Sequence, residues 1–127
     1  MFRTVSLIFF TIILSACTSV PARTPNHLLG YSQSGTASYY AMKYQFRSTA
    51  SGEMLNNLAN TAAHRSLPFG TLVRVTNRET GESVVVKIND RGPFIKGRII
   101  DLTRSAFSSI ADTREGIVPV VIEVVAQ

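Results

Sequence analysis

The sequence predicts a small all-β domain, a closed barrel with one or two short helices. Three observations support this: runs of β-branched residues alternate with polar ones, polar turn segments separate the runs, and helical spacing is confined to a short stretch. About 90 residues of short strands with turn signals between them are typical of small barrels. An open sandwich of the same size fits the pattern as well.

Four strands follow from the alternation of apolar and polar residues. In the first, Val73 and Val75 share one face and Arg74 lies on the other. The polar, glycine-containing segment 77–82 indicates a hairpin turn into the second strand. Pro119 has no amide hydrogen, so we expect it at a strand start or a sheet edge. The predicted strands are residues 71–76, 83–88, 98–102 and 118–125.

A single helix is predicted after the third of these strands. Thr103 is placed to cap it, and apolar residues recur behind Thr103 at spacings of three and four. The segment 112–116 ends this helix before the final strand. A second helical turn is expected to begin near Thr61 and to stop before Pro68.

The N-terminus predicts export and a lipid anchor. Residues 1–16 combine a basic start with an apolar stretch too short to span a bilayer, which is typical of a signal peptide. Residues 14–17, Leu-Ser-Ala-Cys, resemble the lipobox of bacterial lipoproteins, so Cys17 is the predicted lipidation site. Thr18 is not the aspartate that signals inner-membrane retention in that class, so we expect the outer membrane, facing the periplasm. Residues 17–33 are predicted to be a flexible tether and residues 34–127 the folded domain.

Composition narrows the function classes. The 13 Lys and Arg residues outnumber the 8 Asp and Glu residues, a net charge of +5 that favours an anionic partner. A periplasmic destination and scattered basic residues argue against nucleic acid as that partner. The single cysteine excludes an intrachain disulfide and a multi-thiolate zinc site. With 45% hydrophobic residues, the chain is too apolar to be disordered.

The catalytic candidates are two carboxylates and a histidine. The chain has no GxSxG, no P-loop and no metal-ligand spacing, so we expect no metal or cofactor. Asp90, Glu53 and His64 lie in polar segments and suit acid–base chemistry on a glycosidic bond. Each has a structural alternative: Asp90 pairing with Arg91 or capping a turn, Glu53 exposed on a loop, and His64 packed under the Pro68 turn.

Five motifs in order resemble the rare lipoprotein A (RlpA) family: GTASYY, TASGE, TAAHRSLPFGTLVRVTN, VVVKINDRGPF and GRIIDLTRSA. The resemblance covers roughly residues 35–125. It implies a six-stranded double-psi β-barrel related to expansins and barwins. It also implies lytic transglycosylase activity, in which the bond between N-acetylmuramic acid and N-acetylglucosamine is cleaved to leave 1,6-anhydro ends, on glycan strands poor in peptide.

The resemblance assigns residues as well. The family acid of TASGE falls on Glu53, the histidine of TAAHR on His64 and the aspartate of NDRGP on Asp90, which are therefore the implied catalytic residues. We expect Asp90 to be the general acid, Glu53 to supply a nearby charge and His64 to orient its neighbours. Asp101 matches a family acid near the groove, and we interpret it as structural.

Two departures from the family keep a second hypothesis open. Ala41 and Phe46 stand where the family has glycine, which changes the loop beside the expected groove. The alternative is a non-catalytic polysaccharide-binding module of expansin type, with Tyr44, Phe46 and Arg65 added to the contact surface. In either case the predicted substrate-binding residues are Tyr39, Tyr40, Arg47 and Arg91. Many members carry a septum-targeting SPOR domain, which we do not expect here, so septal localisation is not implied.

Overall fold

The computed structural model describes residues 27–127, which form a closed β-barrel. Within that part of the chain the barrel has six strands, in the spatial order β1-β5-β2-β4-β3-β6. The strands are β1 (Ser32–Tyr39), β2 (Thr61–Ala63), β3 (Leu72–Asn77), β4 (Ser83–Asp90), β5 (Arg98–Leu102) and β6 (Val118–Ala126). The closed order confirms the predicted barrel and excludes the open sandwich.

One α-helix and two short 3₁₀ helices complete residues 27–127. They are α1 (Arg104–Ile110) and the 3₁₀ helices Met42–Tyr44 and Thr113–Glu115. Ala106, Phe107 and Ile110 of α1 are fully buried, which accounts for the helical spacing in the sequence. Thr103 occupies the N-cap position as predicted, but its hydroxyl donates to the Ala59 carbonyl and makes no cap hydrogen bond.

The barrel mixes antiparallel and parallel pairs. β3 pairs with β4 and β6, and β6 with β1, all antiparallel, whereas β1–β5 and β2–β4 are parallel. The core lies inside the ring of strands, where residues such as Val73, Ile88, Ile100 and Ile122 have no exposed surface. Pro119 is the second residue of β6, so the predicted position at a strand start is confirmed.

Two of the six strands, β1 and β2, are not among the four that the sequence predicts. The helical turn expected from Thr61 is wrong: Thr61–Ala63 is β2, buried throughout and paired with both β4 and β5. β1 runs through the motif GTASYY and begins at Ser32, so the barrel includes two residues that the sequence assigns to the tether. Small and polar residues carry no apolar alternation, and burial inside a closed barrel replaces that signal.

Gly35 sets the approach of β1 to β5. A Cβ atom at this position would lie 2.6 Å from Cγ2 of Ile99 and 3.0 Å from the Gly97 carbonyl oxygen. The register shifts beside it, since Thr36 is opposite Arg98 while Ala37 is opposite Ile100. Only glycine fits this close approach without moving β5.

The predicted signal peptide and Cys17 lie outside the described residues, as does most of the predicted tether. Within residues 27–127, no helix has the length and apolar character needed to cross a membrane.

Candidate active site

A row of four side-chain positions crosses the barrel wall and contains two carboxylates. Ser38 on β1 is opposite Asp101 on β5. Asp101 is in turn opposite Ala63 on β2, and Ala63 is opposite Asp90 on β4. Neighbouring strands lie about 4.8 Å apart, so the Cα atoms of Asp90 and Asp101 are separated by about 10 Å. Ala63, the residue between them, carries only a methyl group. We name these four positions the carboxylate row.

A β-bulge turns Asp90 onto this row. Ala62 is opposite Ile88, but the next residue, Ala63, is opposite Asp90, so Asn89 is an extra residue in β4. If β4 alternated regularly through Asn89, Asp90 would lie two residues after Ile88, share its inward face and enter the apolar core. The bulge instead places a half-buried carboxylate on the outer face, at the end of the strand.

Asp90 is held by three hydrogen bonds. The Tyr40 hydroxyl donates to Oδ2 at 2.6 Å, and the backbone N–H groups of Ala50 and Arg91 both donate to Oδ1 at 2.9 Å. Burial, and then the hydrogen bond to Asp90, raise the pKa of Tyr40 above its ordinary value. Tyr40 therefore stays a hydrogen-bond donor across the neutral range, and the direction of the Asp90 carboxyl group is determined by its neighbours.

Asp101 lines the same pocket, although the sequence analysis interprets it as structural. Its Oδ1 accepts a hydrogen bond from the Ser38 hydroxyl and forms an ion pair with Arg98 at 2.6 Å. The Nε atom of Arg98 is buried without a hydrogen-bond partner. The signal available in the sequence was alternation, because Asp101 lies between the inward-facing Ile100 and Leu102 and must face outward.

The pocket in front of the carboxylate row has a volume of about 410 Å³. Its wall brings together two carboxylates, two guanidinium groups and three phenol rings. These belong to Asp90 and Asp101, to Arg47 and Arg98, and to Tyr39, Tyr40 and Tyr44. Four predicted site residues thus meet in one place, namely Asp90, Tyr39, Tyr40 and Arg47. We call this concavity the Asp90 pocket.

Tyr39 and Tyr44 of the pocket differ in the contacts that hold their side chains. The Tyr39 hydroxyl donates to the Thr113 carbonyl, and its ring packs on Phe107 with centroids 4.7 Å apart. Tyr39 therefore packs against the rest of the barrel and also lines the pocket. On the opposite side, the Arg47 guanidinium carbon lies 5.0 Å from the centroid of the Tyr44 ring. This stacking presents a positive charge at the pocket rim.

His64 lies outside the pocket lining and has both ring nitrogens occupied. Nδ1 accepts hydrogen bonds from the backbone N–H groups of Ser66 and Leu67, each at 3.1 Å. Nε2 must then carry the proton, and it donates to Oε1 of Gln33 at 2.9 Å. Burial, followed by the charges of Arg91 and Arg65, lowers the pKa of His64. The arrangement suits a neutral residue that holds the loop before Pro68, which is the structural alternative considered for His64. A role of His64 in catalysis stays a prediction.

Glu53 also lies outside the pocket lining. Its carboxylate forms an ion pair with Lys87 at 2.9 Å, and both side chains are close to half exposed. The hydrogen bond from Lys87 lowers the pKa of Glu53. The loop before Glu53 does reach the site, because Ala50 donates to Asp90 and the Ser51 N–H donates to the Asn89 carbonyl. The catalytic role of Glu53 stays a prediction.

The side chains of Arg91 and Arg65 hold loops. The Arg91 guanidinium donates to the carbonyls of His64 and Leu67 and lies 4.0 Å from the Phe69 ring centroid. It does not reach back to Asp90, so the alternative in which these two residues form an ion pair does not describe this structure. Arg65 donates to three carbonyls of the segment before and within β5. Substrate contact by Arg91 stays a prediction.

Across residues 27–127, no three His, Cys, Asp or Glu side chains are grouped closely enough to share a metal ion. Acid–base chemistry by carboxyl groups is what the row itself offers.

Sequence comparisons find close relatives of this domain in longer bacterial proteins. The chain is 55% identical over 95 residues to a protein of Nostoc sp. named probable endolytic peptidoglycan transglycosylase RlpA. It is 44% identical over 107 residues to the endolytic peptidoglycan transglycosylase RlpA of Pasteurella multocida. The matches cover 73% and 84% of this chain but 26% and 36% of those proteins, so the chain spans about a third of their length or less.

Structural comparison finds the same barrel at low sequence identity. The Streptomyces papain inhibitor has a TM-score of 0.62 and 22% identity, with 76% of this chain and 96% of that one covered. An expansin mutant of Clavibacter michiganensis, solved in complex with cellohexaose, has a TM-score of 0.60 and 21% identity over 74% of this chain and 50% of that one. These likenesses establish the fold.

A family model described as "Lytic transglycolase" matches residues 32–122, which include β1 to β5, the first part of β6 and all four positions of the carboxylate row. The matched region begins at the first residue of β1 and ends within β6. With the RlpA relatives, this match shows that the chain belongs to the lytic transglycolase family of double-psi β-barrel domains.

Proposed function

We propose that this domain is an endolytic peptidoglycan lytic transglycosylase, which cleaves the bond between N-acetylmuramic acid and N-acetylglucosamine within glycan strands. The observation that carries the proposal is the carboxylate row, in which Asp90 and Asp101 face one pocket across a small alanine. The names of the RlpA relatives and the family match support the same activity.

In this mechanism Asp90 transfers the proton. Its carboxyl group protonates the oxygen that links the two sugars, and the bond from that oxygen to the anomeric carbon breaks. The 6-hydroxyl oxygen of the muramic residue bonds to its own anomeric carbon, and its proton passes to the Asp90 carboxylate. Asp90 is thereby regenerated and no water is consumed. Attack within one sugar has a large effective concentration, so no group is needed to hold a water molecule.

Asp101 is suited to the complementary role. It forms an ion pair with Arg98 and accepts the Ser38 hydroxyl, so it offers a fixed negative charge. Such a charge stabilises the positive charge that develops on the sugar ring as the bond breaks. Tyr40 orients Asp90 through the 2.6 Å hydrogen bond. The role in catalysis that the RlpA resemblance assigns to Glu53 is retained as part of the proposal.

The products test the reaction type. Purified glycan strands, digested with the domain and analysed by mass spectrometry, should carry 1,6-anhydromuramic ends. A reducing end, heavier by one water, would replace lytic cleavage with hydrolysis. Parallel digests of intact sacculi and of sacculi stripped of peptide by an amidase show whether peptide-poor strands are preferred.

A binding module without catalysis is the second candidate. It is favoured by the exposed Phe46, which is 68% exposed, and by the Arg47–Tyr44 stack, both of which offer contact surface without acid–base chemistry. Wild-type protein that pulls down sacculi and releases no soluble sugar would establish this reading. Binding that survives in an Asp90→Asn variant while product release stops would support the enzyme.

We also propose that the chain is lipid-anchored through Cys17 and faces the periplasm from the outer membrane. The support is the sequence of residues 1–18, with its short apolar stretch and lipobox. Labelled palmitate should enter the wild-type chain and not a Cys17→Ala variant. Equal labelling of both would contradict the anchor.

A further inference from the structure

A second concavity lies beside the Asp90 pocket and has no role in the proposed chemistry. It is open, with a volume of about 490 Å³, between the 3₁₀ helix Met42–Tyr44 and α1. We call it the distal pocket. Its lining residues are Met42, Asn57, Leu58, Arg104, Ser105 and Ser108. Leu58 is 83% exposed and Met42 is 51% exposed, so the pocket combines accessible apolar side chains with polar ones.

Asn57 gives the floor of the distal pocket an unused hydrogen-bond donor. Its Oδ1 accepts from the Arg104 N–H at 3.0 Å, and its carbonyl accepts from the Ser105 N–H at 2.9 Å. The bond from Arg104 determines the direction of the side-chain amide, because Nδ2 in place of Oδ1 would set two donors against each other. The residue is 2% exposed, and Nδ2 has no hydrogen-bond partner. A buried donor without an acceptor is costly and indicates a missing acceptor group.

The distal pocket adjoins the Asp90 pocket. Ala41 lines the Asp90 pocket, and the next residue, Met42, lines the distal pocket. The Tyr39 ring belongs to the wall of the Asp90 pocket, and the Arg104 guanidinium carbon, from the distal pocket, lies 5.7 Å from its centroid. A polymer that extends from the Asp90 pocket past Tyr39 would meet the distal pocket.

We propose that the distal pocket binds the N-acetyl group of a further amino sugar of the same glycan strand. This inference rests on the proposed function for the identity of the polymer. An acetamido group combines a carbonyl oxygen, which accepts from Asn57 Nδ2, with a methyl group, which packs against Leu58 and Met42. The hydroxyl groups of Ser105 and Ser108 and the Arg104 guanidinium suit the remaining sugar oxygens.

The test compares two tetrasaccharides that differ in the acetamido group. One is the β-1,4 tetrasaccharide of N-acetylglucosamine, and the other is the glucose tetrasaccharide of cellulose. In nuclear magnetic resonance titrations of the full chain, the acetylated sugar should shift the backbone amide signals of Asn57, Leu58 and Ser105. The cellulose fragment should leave these signals in place. Equal shifts with both sugars, or none with either, would overturn the proposal.

A matched pair of variants on α1 completes the test. Ser108 lines the distal pocket, whereas its neighbour Ser109 does not, and both are exposed, so neither substitution disturbs the core. Ser108→Leu should weaken affinity for the acetylated tetrasaccharide about tenfold, and Ser109→Leu should change it by less than about twofold. Equal affinity in the two variants would contradict the proposal.

The transglycosylase proposal and the distal-pocket proposal can be contradicted independently of each other. If wild-type protein releases no anhydro ends while the distal pocket still binds the acetylated sugar, the transglycosylase proposal is wrong and the distal subsite stands. If anhydro ends form and the Ser108→Leu variant binds as the wild type does, the distal subsite is wrong and the activity stands.

Discussion

The two walls of the Asp90 pocket are built in different ways. The carboxylate row lies on four adjacent strands, so its spacing follows from the register of the sheet. The other wall comes from residues of the segment 41–58, which we call the rim loop and which contains no strand of the barrel. Its backbone is held by bonds such as Phe46 N–H to the Leu55 carbonyl at 2.9 Å and by the buried Leu55 side chain.

This contrast separates chemistry from contact. The row presents short polar side chains whose places are set by the sheet, which is what proton transfer at a defined atom requires. The rim loop exposes large apolar groups, among them Phe46 and Met54 at 68% and 63%. Changes in the row are therefore expected to affect turnover, and changes in the rim loop to affect binding and stability.

The largest expected effect is at the row itself. Asp90→Asn removes the transferable proton while keeping the size of the side chain, so kcat should fall about a thousandfold. The measurement is the release of anhydromuramic ends from glycan strands, with the melting temperature as a check on folding. Asp112→Asn is the control, because Asp112 is exposed and pairs only with Arg114 in this structure. Similar losses in both variants would contradict the role of Asp90.

Substitutions of His64 test how the loop after β2 supports the carboxylate row. His64→Ala leaves the N–H groups of Ser66 and Leu67 without their acceptor, which should cost about 2 kcal/mol of unfolding free energy. His64→Asn keeps an acceptor near the position of Nδ1 and should retain most stability and turnover. Denaturant unfolding and product release measure the two. If the Asn variant is as inactive as the Ala variant, His64 has a role in the chemistry beyond orientation.

The same residue predicts a dependence of stability on pH. Burial lowers the pKa of His64 in the folded state, so the unfolded chain binds its proton first as the pH falls. The stabilisation is fully present above the unfolded pKa of about 6.5 and is lost as the pH falls below it toward the folded pKa. Unfolding free energies measured at about pH 7.5 and about pH 5.5, one on each side of the unfolded pKa, should differ more for wild type than for His64→Asn. Equal differences would show that other groups cause the dependence.

Glu53 is the carboxylate that the row does not include. If its predicted catalytic role holds, Glu53→Gln should lower kcat by about tenfold, whereas Lys87→Gln, which removes only its ion-pair partner, should leave kcat within about twofold. Steady-state release of anhydromuramic ends distinguishes the two. Equal behaviour of the variants would limit Glu53 to the surface ion pair.

The smallest expected effect lies in the rim loop. Phe46 has a φ of 66°, a left-handed conformation that favours glycine, and its ring is largely exposed. Phe46→Gly should therefore be more stable than Phe46→Ala by about 1 kcal/mol, since both lose the ring and only glycine relieves the backbone. Chemical denaturation of the two variants measures this. An alanine variant as stable as the glycine variant would mean that the strain is absent.

The sequence predicted those parts of the molecule that follow simple periodicity. β3, β5 and β6 were confirmed within one or two residues, because each is a short run rich in Val, Ile or Leu that is bounded by polar segments. β2, with its run of Thr and Ala, has no such alternation and was assigned to a helical turn. β4 extends to Asp90 rather than ending at Ile88, because the bulge at Asn89 continues the pairing beyond the apolar run.

The site was predictable only in part for the same reason. Asp90, Tyr40 and Arg47 were each predicted as site residues, and the pocket contains all three. The pairing of Asp101 with Asp90 depends on the order of β5, β2 and β4 around the barrel, which no local pattern contains. His64 and Arg91 hold loops through hydrogen bonds to the backbone. Whether a single residue in a polar segment is buried enough to do this cannot be predicted from the local sequence.

The most direct test of the central claim is cleavage of purified glycan strands in isotopically labelled water, by wild type and by the Asp90→Asn variant. Cleavage by the 6-hydroxyl of the muramic residue takes no oxygen from water. The wild type should release unlabelled 1,6-anhydromuramic ends, and the Asp90→Asn variant should release almost none. Labelled reducing ends from the wild type, or undiminished release by the variant, would contradict proton transfer by Asp90 without water.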